Sequence, residues 1–166
     1  MPTINHAVLI GASPVKIFDA LTTQEGLSAW WTPGAQATPH NNTIAHFPFG
    51  TGYFKEMIVK ELKSNELVRW NCIKGADEWV GTNIIFNLLP IDKEMLPKLY
   101  PEITGQAEQQ ARDSGTLLIF KHERWKQDTL MLAECSYTWA LFLRSLKLYC
   151  ETGDGMPWPV QHKVAK

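Results

Sequence analysis

A chain of 166 residues with 16 Lys and Arg against 17 Asp and Glu carries a net charge of −1, which excludes the strong global field that draws a protein to nucleic acid or an anionic membrane. At this length one real hydrophobic core can form, and seven Trp and seven Phe are on hand to fill it. No apolar run approaches the ~18 residues of a membrane span, and no basic segment followed by an apolar one marks a secretory signal. Cys72, Cys135 and Cys150 are odd in number and form no CxxC pair. Cys72 falls in a strand pattern and Cys135 on a helical stripe, where both read as small buried hydrophobes, so a reducing, cytoplasmic location is expected.

The β-rich run from Ile4 to Ile10 predicts a first strand. Ser13-Pro14 then opens a helix, with Ser as N-cap, Pro at the first helical position, and Ile17, Phe18 and Leu21 on the buried face. Thr22 and Glu25 have capping-box spacing and predict a second short helix carrying Leu27, Trp30 and Trp31, stopped by Pro33-Gly34. A polar loop leads to Ile44–Phe49 and Tyr53–Leu62, joined at Gly50-Thr51-Gly52 as a hairpin. Leu67–Ile73 follows, with Val68, Trp70 and Cys72 alternating against Arg69 and Asn71, the pattern of a sheet with one dry face. Trp79–Leu89 is the next strand, with Ile84, Phe86 and Leu88 on one side.

The segment 90–114, with Pro90, Pro97 and Pro101 as breakers, interrupts the strands, and Gln106 to Arg112 is the stretch of it that can be helical. Gly115–Glu123 is the last strand, with Thr116, Leu118, Phe120 and His122 on its inner face. Apolar Leu117 and Ile119 on the nominally outer face call for a cover, either the inserted segment or a second subunit in a homodimer. Finally Asp128 to Gly153 reads as one helix of about 23 residues, about 34 Å long at 1.5 Å per residue. Its stripe of Cys135, Trp139, Phe142, Leu146 and Tyr149 repeats at steps of four and three. The element order predicts an α+β architecture over residues 1–166, a curved antiparallel sheet of about six or seven strands wrapped around the C-terminal helix, with two short helices after the first strand.

Two stretches carry a family resemblance. The run Val8-Leu9-Ile10-Gly11-Ala12-Ser13-Pro14-Val15-Lys16-Ile17-Phe18-Asp19-Ala20-Leu21 with Leu27-Ser28-Ala29-Trp30-Trp31 is one. The other comprises Gly115-Thr116, His122, Trp125, Trp139 to Lys147 and Glu151-Thr152-Gly153-Asp154-Gly155. In this order they resemble the START-like, Bet v 1-like superfamily (SRPBCC), and within it the branch related to the activator of Hsp90 ATPase. The resemblance implies the helix-grip fold with a hydrophobic cavity between sheet and helix. It also implies three kinds of activity: carriage of a small lipid, aromatic or polyketide-like molecule, cyclase- or hydrolase-like catalysis in the same cavity, or contact with an Hsp90-type chaperone. The family's last two strands usually join by a short turn, where this chain inserts residues 90–114.

Alternation and the helical stripe nominate Trp30, Trp70, Ile84, Phe86, Leu118, Phe120, Trp139 and Phe142 as cavity lining, although filled interiors are the norm and each is first a core residue. Of the adjacent Trp30 and Trp31, about 100° apart on a helix, one is expected inside and the other nearer the cavity mouth. His122, continuing the inner face of the last strand, is the candidate acid, base or ligand-orienting group. His40 and His46 are weaker candidates at the opposite rim. No metal or cofactor is expected, because the His and Cys lack ligand spacing and no phosphate-loop or nucleophile-elbow motif occurs.

Overall fold

A computed structural model describes residues 1–164. Strand β1 (Ile4–Ile10) leads into helices α1 (Pro14–Thr22) and α2 (Gln24–Trp30). Ser13 caps α1 by accepting from the Lys16 amide. The second cap is Thr23, one residue beyond the predicted Thr22, and its hydroxyl accepts from the Gly26 amide at 3.1 Å. Thr22 instead ends α1 and returns its hydroxyl to the Phe18 carbonyl. The two helices bend so closely that a Cβ at Gly26 would stand 2.5 Å from the Ala20 Cα, so only glycine fits there.

The remaining strands are β2 (Ile44–Pro48), β3 (Phe54–Lys63), β4 (Leu67–Lys74), β5 (Asn83–Asp92) and β6 (Ser114–Glu123). All pair antiparallel in one six-stranded curved sheet of order β1-β6-β5-β4-β3-β2. The inward positions are those the period-2 pattern predicts: Val68, Trp70 and Cys72 on β4, Ile84, Phe86 and Leu88 on β5, Thr116, Leu118, Phe120 and His122 on β6, all buried. Register places Phe86 opposite Phe120 and Ile84 opposite His122.

Against this face lies α5 (Leu130–Thr152), 23 residues long. Cys135, Trp139, Phe142 and Leu146 of its stripe are buried, and Tyr149 is partly buried. Gly153 ends the helix in the left-handed region at φ 92°, its amide bonded to the Tyr149 carbonyl. Thr129 caps the other end, accepting from the Leu132 amide at 3.3 Å. Replacing Thr129 by Ala is expected to cost about 1 kcal/mol, read as a lower midpoint in urea titration with an unchanged slope. The result is the helix-grip arrangement, and among the described residues no helix is long and apolar enough to cross a membrane.

Two strand boundaries depart from expectation. Trp79 lies in a turn rather than on β5, which starts at Asn83. Pro90 does not break β5. It pairs with Thr116, and the strand runs on to Asp92. The inserted segment then forms α3 (Leu96–Leu99), a 3₁₀ turn at Pro101–Ile103, and α4 (Thr104–Gln109). It folds over the outer face of the sheet, where Leu96, Ile103 and Ala107 pack on Leu9 and Leu117, with Ile119 partly covered. Gln106 fastens it to β1, its amide bonding the Leu9 N–H at 2.9 Å and the Ala7 carbonyl at 3.0 Å. This small second core accounts for the apolar residues on the outer face of β6.

Candidate functional site

Most of the space between α5 and the sheet is filled by rings. Trp31, the C-cap of α2, is the hub, with its centroid 4.3 Å from Phe47, 5.2 Å from Trp139 and 5.8 Å from both Trp30 and Trp70. Trp30 lies behind it, its indole N–H bonded to the Ala20 carbonyl at 2.8 Å. Both tryptophans are fully buried, so neither reaches a cavity mouth, but Trp31 borders the cavity while Trp30 lies behind it. Side-by-side stacking at an interplanar angle of 12° lets two adjacent residues enter the same interior.

A cavity of about 130 Å³ remains at one end of this layer. The first half of α5 contributes Met131, Cys135, Thr138, Trp139 and Phe142, spaced along one helical face. The turn between β2 and β3 contributes Phe49 and Tyr53, α2 contributes Trp31, and the turn before β5 contributes Trp79. Met131, Thr138 and Tyr53 are the more exposed members and form its mouth.

One cation lies among these rings. Lys55 is the second residue of β3, on the same face as Met57 and Val59, and it is only 9% exposed. Its Nζ lies 4.0 Å from the Phe49 centroid, 4.6 Å from Trp79 and 4.8 Å from Tyr53. Among the described residues it belongs to no ion pair. Burial pushes its pKa down to about 8. Burial also raises the Cys135 and Cys72 thiols, Cys72 to about 11. Cys135 accepts from the Trp79 indole N–H at 3.2 Å.

His122 sits behind the cavity, completely buried. The Trp139 indole N–H donates to its Nδ1 at 3.1 Å, and an indole nitrogen can only donate. Nδ1 is therefore bare, and the proton sits on Nε2, which donates to the Thr82 hydroxyl at 2.8 Å. That hydroxyl in turn donates to the Trp79 carbonyl at 2.6 Å. Burial first, and the nearby Lys55 charge second, lower the His122 pKa to about 3. The imidazole is thus neutral, fixed in one tautomer, and has no ring nitrogen free for a ligand.

Of the nominated lining residues, Trp139 and Phe142 border the cavity. Trp30, Trp70, Ile84, Phe86, Leu118, Phe120 and His122 lie behind it in the packed interior. Phe86 meets the edges of Trp30, Trp70 and Phe120, and Phe120 lies 4.6 Å from Trp139. His46 faces outward, its ring 4.8 Å from Phe54, and His40 is exposed in a loop. Phe49, Tyr53, Lys55 and Trp79 line the cavity without being nominated by the sequence, and Trp31 takes the cavity-side place expected of one of the two adjacent tryptophans. For Lys55 the signal was present, because strict alternation from Val59 through Met57 counts it inward.

A larger cleft of about 530 Å³ lies between α4, Gly11 and the end of α5. Two of its charges satisfy each other: Lys147 Nζ is 2.7 Å from Glu151 Oε2 and 2.7 Å from the Leu9 carbonyl, and the same Glu151 oxygen accepts from the Gly11 amide. Arg112 also borders this cleft and makes no ion pair among the described residues, but no aromatic ring lines it, so the smaller aromatic cavity is the better candidate for an apolar ligand.

The family described as activator of Hsp90 ATPase homolog 1-like protein matches residues 11–151. The Aha1 dimer from Colwellia psychrerythraea, solved in solution, is 32% identical over 93% of this chain and 100% of that one, with a TM-score of 0.72. Protein MLL2253 from Mesorhizobium loti shares the fold at 16% identity, 92% and 99% coverage and a TM-score of 0.70. CalU16 from Micromonospora echinospora does so at 14% identity, 92% and 75% coverage and a TM-score of 0.62. No curated protein matches the sequence.

Proposed function

This chain belongs to the activator of Hsp90 ATPase homolog 1-like family, and from that premise we propose that it binds a small hydrophobic molecule between the sheet and the first half of α5. The observation that carries the reading is the cavity itself, about 130 Å³ walled by Trp31, Phe49, Trp79, Trp139 and Phe142. Dry apolar cavities of about 150 Å³ accept a single benzene ring, so the favoured occupant is one ring or a short branched chain. A long lipid or a polyketide of several rings would need the wall to open. Titration with toluene or indole is expected to raise the melting temperature and to change the tryptophan emission, since Trp31, Trp79 and Trp139 line the site. No shift with toluene, indole or a native lipid extract would sink this reading. Cyclase- or hydrolase-like chemistry in the same cavity draws no support from His122, whose two ring nitrogens are both engaged.

A second reading, contact with an Hsp90-type chaperone, is favoured by the family description and by the 32% identical relative. Its test is a pull-down with the host chaperone combined with measurement of the chaperone's ATPase rate. That relative is itself described as a dimer, which favours a homodimer here, to be measured by light scattering. The three free, buried cysteines support a reducing, cytoplasmic setting.

A further inference from the structure

Lys55 is a cation placed where an apolar ligand would sit. Three ring faces surround its ammonium, yet a π face satisfies charge better than it satisfies three N–H donors. The titratable groups that face it are the Cys72 thiol from β4, the Cys135 thiol from α5, the neutral His122 from β6 and the Tyr53 phenol from the β2–β3 turn. None of these carries a negative charge at neutral pH, because both thiols and the phenol are raised by burial. A buried lysine normally meets a carboxylate, and among the described residues this one meets none.

We propose that the missing carboxylate is the ligand's: the cavity is built for a small aromatic monocarboxylate, its ring among Trp31, Trp139 and Phe142 and its carboxylate on the Lys55 ammonium. This rests on the cavity being the binding site and adds the chemical class of the occupant. The arrangement discriminates by charge. A neutral ring of the same size gains the aromatic contacts alone, and a cationic one meets like charge in a poorly hydrated site. A charge-assisted bond to the ammonium exists only for the anion.

The test compares benzoate, benzamide, toluene and benzylamine on the wild-type protein and on Lys55→Met, followed by tryptophan emission and amide chemical shifts. Benzoate is expected to bind at least tenfold more tightly than benzamide or toluene, and benzylamine not at all. In Lys55→Met the benzoate preference disappears while toluene binding persists, which also shows that the variant is folded. On the wild type alone, benzoate affinity is expected to hold steady up to pH 7.5 and to fall above about 8 as the free lysine loses its proton. Equal affinity for benzoate and toluene, or an undiminished benzoate preference in Lys55→Met, overturns the assignment and leaves the apolar cavity standing. Failure of all four compounds to bind overturns both.

Discussion

Replacing His122 by Ala is expected to destabilise the protein by about 3–5 kcal/mol, a large part of the 5–15 kcal/mol that holds a typical domain folded. The substitution opens a hole among Trp79, Trp125 and Trp139, whose ring centroids lie 4.6, 4.7 and 6.2 Å from the imidazole. It also leaves the Trp139 N–H without its acceptor and Thr82 without its donor, in a place no water reaches. His122→Phe separates the two effects. It restores ring volume but not the hydrogen bonds, so it should recover only part of the loss. The same residue shapes the acid limb of stability. Its native pKa, about 3, lies below the ordinary 6.5 of the unfolded chain. Below pH 6.5 the unfolded state therefore takes up a proton that the native state refuses, and stability is lost as pH falls from 6.5 toward 3. For one proton the slope is about 1.4 kcal/mol per pH unit. His6, also lowered by burial, adds in the same direction. Between pH 6.5 and 5, above most carboxylates, His122→Phe should show a shallower decline in urea-derived stability than the wild type. An identical slope in both proteins would mean that His122 is not held neutral.

The path from residues to this site was legible in some places and hidden in others, for physical reasons. Thr116, Leu118, Phe120 and His122 could be placed on one face of β6 because side chains alternate along any strand, whatever it packs against. Cys135, Trp139, Phe142 and Leu146 could be placed on one face of α5 because the helical repeat is equally indifferent to context. Periodicity says which way a side chain points and nothing about how far the opposing wall stands. Phe86, Phe120 and Trp70 point inward as expected, and there they meet Trp30, Trp31 and Trp139, which fill the space. The cavity survives only where the β2–β3 turn and the turn carrying Trp79 approach the start of α5, and the geometry of turns is the least periodic part of a chain. Pro90 misled because a proline signals a break only where its missing N–H is needed. Here β5 carries through it to Asp92. Lys55 was passed over because a lysine in a strand is ordinarily taken for a solvated residue. The alternation that turned Met57 and Val59 inward applied to it as well.

The strongest sign that Lys55 is there for a ligand would be that the fold improves without it. Lys55→Met keeps the aliphatic stem against Gly75 and the surrounding rings and removes the ammonium. In the native protein the lysine pKa is about 8, against 10.5 unperturbed, so burial disfavours the charged form. Below pH 8 both the native and unfolded states carry the charge, and the native state bears the full desolvation penalty. Between pH 8 and 10.5 the native lysine is neutral while the unfolded one is still charged, so wild-type stability rises with pH as the penalty fades. A shift of this size corresponds to at most about 3 kcal/mol, and the cation–π contacts offset part of it. Lys55→Met is therefore expected to be about 1–3 kcal/mol more stable than the wild type at pH 7 in urea titrations. The two curves should converge as pH approaches 10.5. Loss of stability at pH 7 would show instead that the three rings more than compensate the buried charge, making the lysine a structural part of the aromatic layer. A gain, coupled to loss of benzoate binding, would mark a residue whose position costs the fold something that binding returns, the usual signature of a site kept for function.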